Sequence, residues 1–261
     1  SRMRKSALIK GSSGGIGYEL ANIHAENGHD LILVARNKCK LDVLRGTLLK
    51  QYGIKVCTIE KDLSLAGAAS EVYDEIQAQD LTVDYLINNA GFGDIGLFAD
   101  SDWDKQERMI YLNVTSLTHL TRLFLPGMIE RGSGKVMNVA STASFQPGPT
   151  MSVYFATKAF VLSFSEAVNY EVRKKGVTVT ALCPGSTESG FHATALGEGM
   201  HVKERNLPSA REIAEYGYKA MMRPKALAIP GFKISIMATS VRFIPRSLVV
   251  KATGTVQGKK Y

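Results

Sequence analysis

Cysteine is scarce in this chain and shows no ordered spacing. Cys39, Cys57 and Cys183 are odd in number and far apart, so neither a disulfide framework nor a Cys-x-x-Cys motif is present. A reducing, cytoplasmic setting is the expectation. The five histidines are scattered without ligand spacing, and no metal site is expected. No apolar run approaches the roughly 20 residues that a membrane-spanning helix needs. Residues 1–5 lead directly into a strand-like Ala7-Leu-Ile9, so a signal-peptide core is not expected there. Internal repeats, low-complexity stretches and linkers are also lacking, so nothing divides the 261 residues, a length that suits one large α/β domain. Acidic charge is also missing from the C-terminal end. The chain has 32 Lys and Arg against 24 Asp and Glu, yet from Tyr216 to Tyr261 there are nine basic residues and no acidic one. The remainder carries 32 − 9 = 23 basic and 24 acidic residues, so the net charge of +8 resides in the C-terminal segment.

What is present is an alternation of apolar strand patterns with helical ones. The expected strands lie near Ala7–Ile9, Leu31–Ala35, Ile54–Ile59, Val83–Asn88, Lys135–Ala140, Val177–Leu182 and Ala226–Ile229. Helices are expected to about Asn27 and over about Leu41–Gln51, Leu65–Gln79 and Ser152–Lys174. Another should start at Ser101-Asp102, carry Asn113 and continue to about Glu130. Ser209-x-x-Glu212 reads as a capping box opening a helix to about Met222. Repeated βα units imply a Rossmann-like, doubly wound, seven-stranded parallel sheet with helices on both faces in a single domain. Residues 6–231 would form the dinucleotide-binding catalytic unit, and 232–261 a basic, apolar C-terminal extension. Ligands bind such sheets beyond the C-terminal strand ends. Gly11–Gly17, Asn88–Gly91, Ser141 and Pro184-Gly185 all follow strands at that edge.

The stretch Ser141 to Lys158 suits proton transfer at a carbonyl. Tyr154 and Lys158 are four residues apart and share one helix face. A free tyrosine, with a pKa of about 10, is a poor acid–base catalyst at neutral pH. An ammonium one turn away stabilises the phenolate, and Ser141 at a strand end can bond the same carbonyl oxygen. A chance Tyr-x-x-x-Lys on an exposed helix face is the plain alternative. Gly11-x-x-x-Gly15-x-Gly17, between a strand and a helix, permits close approach of a pyrophosphate to the helix N-terminus. About 20 residues past such a loop, NAD sites carry an acidic residue for the ribose. Here the second strand ends at Arg36, whose guanidinium suits a 2′-phosphate and hence NADP(H). Asp62 either receives the adenine amino group or caps the following helix.

In order and spacing, this set resembles the classical short-chain dehydrogenases/reductases over about Ser6 to Ile229. The matching positions are Gly11-x-x-x-Gly15-x-Gly17, Asp62, Asn88-Asn-Ala-Gly91, Asn113, Ser141, Tyr154-x-x-x-Lys158 and Pro184-Gly185. The resemblance implies an oligomeric NAD(P)-dependent enzyme acting on a small-molecule carbonyl or alcohol. Tyr154 would be the general acid in reduction and the base in oxidation. Lys158 would lower its pKa and bond the nicotinamide ribose, Ser141 would polarise the carbonyl, and Asn113 would hold a water of the proton relay. Asn89, Ala90 and Gly91 would line the cofactor path, with Pro184, Gly185, Thr187 and Ser189 at the nicotinamide end. Ser13, Ile16 and Leu63 complete the expected cofactor-binding set. The position before Gly11, commonly Thr in the family, is Lys10, read as either a second phosphate contact or a solvated lysine. A dinucleotide-binding regulator or scaffold without catalysis is the alternative from another class.

Phe92, Phe98, Phe145, Met151, Phe191, Leu196 and Met200 lie where family pockets form and suggest an apolar substrate body, or lid packing. Phe155, Phe160, Val161 and Phe164 give the Tyr154 helix apolar area on more than one side. That pattern and the resemblance point to a homodimer or homotetramer. The C-terminal segment mixes Phe232, Phe243 and Ile244 with Lys233, Arg242, Arg246 and Lys251. It reads as a helix docked on its own domain or on a neighbour, as a peripheral membrane contact, or as a basic rim for an anionic acyl thioester. No nucleic-acid-binding motif is recognisable in it.

Overall fold

The computed structural model describes residues 4–187, 207–223 and 225–258. Strands β1 (Ser6–Lys10), β2 (Asp30–Ala35), β3 (Val56–Glu60), β4 (Tyr85–Asn88), β5 (Gly134–Val139), β6 (Val177–Leu182) and β7 (Leu227–Ala228) form one sheet. Its order is β3-β2-β1-β4-β5-β6-β7, and every neighbouring pair is parallel. The order reverses at β1, the switch point where a ligand crevice opens.

The continuous apolar strand runs are explained by burial on both faces. Ala7, Ile9, Leu31 and Leu33 point into one core layer beneath α1 (Gly15–Glu26), α2 (Lys38–Tyr52) and α7 (Ala210–Met222). Leu8, Ile32, Val34 and Leu86 point into the other, beneath α3 (Ala68–Ala78), α5 (Leu117–Arg131) and α6 (Ser152–Val172). The Ser209–Glu212 capping box forms in full. Arg211 then ties α7 to α1 through a bidentate pair with Glu26 at 2.9 and 2.8 Å.

Some elements differ from expectation. The third helix begins at Ala68 rather than Leu65, because Gly67 in the left-handed region forms its N-cap. The helix capped by Asp102 is α4 (Trp103–Ile110), and it passes into a π-helical turn, Tyr111–Ser116, before α5. Asn113 lies in that turn. The C-terminal segment forms α8 (Phe232–Ser240) and α9 (Arg246–Gly258). Among the described residues, no helix is long and apolar enough to cross a membrane.

Candidate active site

A cleft of about 990 Å³ opens beyond the C-terminal ends of β1, β4, β5 and β6. Its floor is the turn from β1 into α1. Gly11 there has φ +75°, and a methyl at Gly17 would lie 2.1 Å from the Gly11 carbonyl oxygen. Only glycine fits at Gly17. Asn89 Nδ2 donates to the Gly11 carbonyl at 3.1 Å and braces the turn from the neighbouring strand. Gly14 caps α1 without a side-chain bond, and the first turn holds no acidic residue. The free N–H groups and positive dipole end of α1 therefore face the cleft, a chemistry that fits a pyrophosphate.

Gly11, Ser13, Gly15 and Ile16 line this end of the cleft, with Arg36, Asp62 and Leu63 beside them and Asn89, Ala90 and Gly91 opposite. Gly17 packs behind the wall rather than lining it. Asp62 does not cap α3. Its Oδ1 accepts from the Ser64 amide at 3.0 Å and the Ser64 hydroxyl at 2.6 Å, and Oδ2 pairs with Arg108 at 2.7 Å. Burial raises the Asp62 pKa, but the Ser64 bonds and the Arg108 and Arg36 charges outweigh it and hold the group below its ordinary value. Lys40, Lys61 and Arg108 also line this end. Their sequence positions carried no signal, because helix α2, the β3 edge and helix α4 bring them together.

At the other end stand Ser141, Tyr154 and Lys158. Ser141 follows β5 and caps a short 3₁₀ turn, its hydroxyl accepting from the Ala143 amide at 3.1 Å. The Ser144 hydroxyl accepts from the Ser141 amide at 3.3 Å and donates to the Lys158 carbonyl at 2.8 Å. This bond ties the serine turn to α6. The Ser141 hydroxyl also shares a hydrogen bond with the Tyr154 phenol. Burial pushes the phenol up to about 12, with the Ser141 bond opposing it. The Lys158 ammonium lies 5.8 Å from the Tyr154 ring centroid and donates to the Val139 carbonyl at 2.9 Å. Burial brings its pKa down to about 8.

Asn113 is buried behind this pair and does not line the cleft. Its amide donates to the Phe92 carbonyl at 3.0 Å and to Thr157 Oγ1 at 3.1 Å, while its Oδ1 accepts from the Phe92 amide at 3.2 Å. It clamps the Asn89–Phe92 turn to α6. A methyl at Gly91 would sit 3.0 Å from Asn113 Oδ1 and 3.3 Å from Lys158 Nζ.

Pro184, Gly185 and Thr187 line the same end. Ser189, Phe191, Leu196 and Met200 lie outside the described residues. Of the expected apolar lining, Phe92 and Met151 reach the cleft. Phe98 is exposed on a 3₁₀ turn, and Phe145 packs against the core under β6 and α6 instead. Ile95, Phe155 and Gln257 line it unannounced by sequence. Lys10 is neither solvated nor part of the cleft wall. It is 1% exposed, with Nζ 3.5 Å from the Leu112 carbonyl. Burial, aided by the Lys158 charge, depresses its pKa to about 7.

Residues 5–198 match the family model described as short chain dehydrogenase. The very-long-chain 3-oxoacyl-CoA reductase of Anas platyrhynchos is 36% identical over 184 residues, 68% of this chain and 58% of that protein. The Homo sapiens protein of that name is 34% identical over the same shares. The chain thus spans less than two thirds of the length of these curated relatives. Among solved structures, a short-chain dehydrogenase from Sphingobium yanoikuyae in complex with NADPH superposes with a TM-score of 0.84 at 32% identity, covering 94% of each chain. The bulky-bulky ketone specific alcohol dehydrogenase from Comamonas testosteroni gives 0.80 at 29% identity, covering 94% of this chain and 93% of that one. With a glycine turn, a serine turn and a Tyr–Lys helix on one edge of a matching sheet, the chain belongs to the short-chain dehydrogenase/reductase family of nicotinamide-dinucleotide oxidoreductases.

Proposed function

We propose that the chain is an NADP(H)-dependent carbonyl reductase/alcohol dehydrogenase for a substrate with an apolar body. The observation that carries the reading is the Ser141–Tyr154–Lys158 group, with Tyr154 and Lys158 buried, at one end of the cleft whose other end is the glycine turn. When bound, the nicotinamide supplies or accepts the hydride. The protein holds the proton. With burial keeping the Tyr154 pKa high, the phenol is protonated at neutral pH and suited to donate to a developing alkoxide. Lys158 keeps its own proton below about pH 8, so its positive charge faces the phenolate left behind. Ser141 presents a hydroxyl to the same oxygen. The Asn113 side chain is fully engaged with Phe92 and Thr157, so a relay water would fall to its backbone carbonyl in the widened π turn.

Arg36 supports the NADP(H) preference, with Lys40 and Lys61 also at that end of the cleft. Phe92, Ile95, Met151 and Phe155 support an apolar substrate body. The names of the curated relatives make 3-oxoacyl thioesters the first compounds to try. Residues 6–231 would form the catalytic unit, working in the cytoplasm, with 232–261 as its extension. A homo-oligomeric contact through α6 is supported by Phe160 and Phe164, which stack at 6.0 Å with Phe160 43% exposed.

The test is NADPH oxidation followed across 3-oxoacyl thioesters, bulky ketones, steroids and apolar aldehydes. Turnover of at least one, lost in Tyr154→Phe, supports the reading. Cofactor binding without turnover of any would favour a non-catalytic binder.

A further inference from the structure

The C-terminal helices have two unlike faces. The inner face belongs to the active-site rim. A methyl at Gly185 would lie 3.3 Å from Ile234 Cδ1, so α8 rests on the loop after β6. A methyl at Gly254 would lie 3.4 Å from Pro149 Cγ, and Gln257 Nε2 donates to Met151 Sδ at 3.8 Å. Helix α9 therefore sits on the segment that carries Met151 into the cleft, and Gln257 lines the cleft itself.

The outer face has no partner among the described residues to account for its composition. Phe232 is 81% exposed and Phe243 85%. Ile236, Met237 and Leu248 are each more than half exposed. Phe232, Ile236 and Ser240 follow one another at helical spacing, with Lys233 and Met237 on the adjoining row. Lys233, Arg242, Arg246 and Lys251 are all exposed around these apolar groups. Glu215 is the last acidic residue of the chain, and among the described residues none of these four cations is in an ion pair.

We propose that the outer face of α8 and α9 docks on an anionic membrane surface. Large apolar tips framed by cations match an interface of acyl chains under negative headgroups. A second copy of the same face matches poorly. A two-fold contact would bring four cations from each side together without a carboxylate between them. The docked face backs directly onto the cleft rim through Ile234, Gly254 and Gln257, so the bilayer would lie beside the substrate entrance. Such membrane docking does not depend on which carbonyl compound is reduced.

The experiment is co-sedimentation of the full chain with vesicles of pure phosphatidylcholine and of phosphatidylcholine containing phosphatidylserine. Binding is expected on the anionic vesicles, with little on the neutral ones. A Lys/Arg near an anionic surface contributes roughly fivefold in partitioning. Lys233→Gln, Arg242→Gln, Arg246→Gln and Lys251→Gln combined should therefore lower it by at least about tenfold, as should raised salt. Phe232→Ser with Phe243→Ser should weaken binding while leaving cofactor affinity intact, which verifies that the variants are folded. Equal partitioning on both vesicle types would overturn the proposal. So would binding unchanged in both variant sets, or sedimentation showing a dimer that Phe232→Ser/Phe243→Ser dissociates.

Discussion

Replacing Lys10 by Met tests the electrostatics beneath the active site. Lys10 ends β1 and lies beside Asn88 of β4 in register. Its side chain runs into the layer under α5 and α6, where, among the described residues, its one side-chain hydrogen bond is the 3.5 Å contact to the Leu112 carbonyl. In the unfolded chain the ammonium is hydrated with a pKa near 10.5, and in the folded protein it falls to about 7. A depressed folded-state pKa means that the unfolded state binds the proton more tightly between these values, so stability rises with pH there. The difference of about 3.5 units corresponds to roughly 5 kcal/mol at low pH and about 4 kcal/mol at pH 7. Met has similar length and no charge to desolvate. Lys10→Met should therefore be more stable than the parent by up to about 4 kcal/mol at pH 7. The advantage should shrink by roughly 1.4 kcal/mol per pH unit between pH 8 and 10. Urea unfolding midpoints of both proteins from pH 6 to 10 read this directly. A variant less stable than the parent at pH 7, or a difference that ignores pH, would mean that Lys10 is a charged and fully paired group, and the reasoning from burial would fail.

Other outcomes follow from the cleft. Tyr154→Phe should reduce turnover by about 10³-fold, within the usual range for a lost general acid, while the dissociation constant for NADPH changes little. Lys158→Ala should impair both quantities, and the parent's rate of reduction should fall as pH rises through about 8, where Lys158 loses its proton; a flat profile to pH 10 would remove Lys158 from the role. Arg36→Ala should weaken NADPH by about 10- to 100-fold, the scale of one charge-assisted contact, and leave NADH nearly unchanged by titration; a parent that prefers NADH would reverse the cofactor assignment. Phe160→Glu should shift the sedimentation of an oligomer towards monomer, and a parent that is monomeric at micromolar concentration would dismiss the α6 contact.

What the sequence made legible was local. The seven strands are readable because both faces of a parallel sheet are buried, which leaves uninterrupted runs such as Leu31–Ala35. The Ser209–Glu212 box is readable because a cap is decided within four residues. The glycine turn, Ser141 and the Tyr154–Lys158 pair are each short patterns, and they converge because every one follows a strand at the same sheet edge. Features that depend on distant partners were not legible. Nothing near Asp62 announces Arg108, which is 46 residues away and reaches it from α4. Asn113 falls in an apparently continuous helical pattern, and neither its π turn nor its bonds to the distant Phe92 and Thr157 are marked in the local sequence. Gln257 is one polar residue in a helix that no local rule orients towards the cleft.

Lys10 is the sharpest of these cases, because composition alone argues for a solvated lysine. Strand alternation decides otherwise. Position 10 shares the face of Leu8, while Ile9 faces the opposite layer. A residue at the end of β1 on that face must run under the Leu112 turn, whatever its charge. The same geometry places it within electrostatic reach of Lys158. Two ammonium groups in one buried layer cannot both hold their protons cheaply. The one with the lower pKa, Lys10, yields first, and Lys158 keeps its charge at neutral pH beside Tyr154. The pairing of a reluctant lysine with a catalytic-type one thus follows from strand parity, and the pH dependence of Lys10→Met measures it.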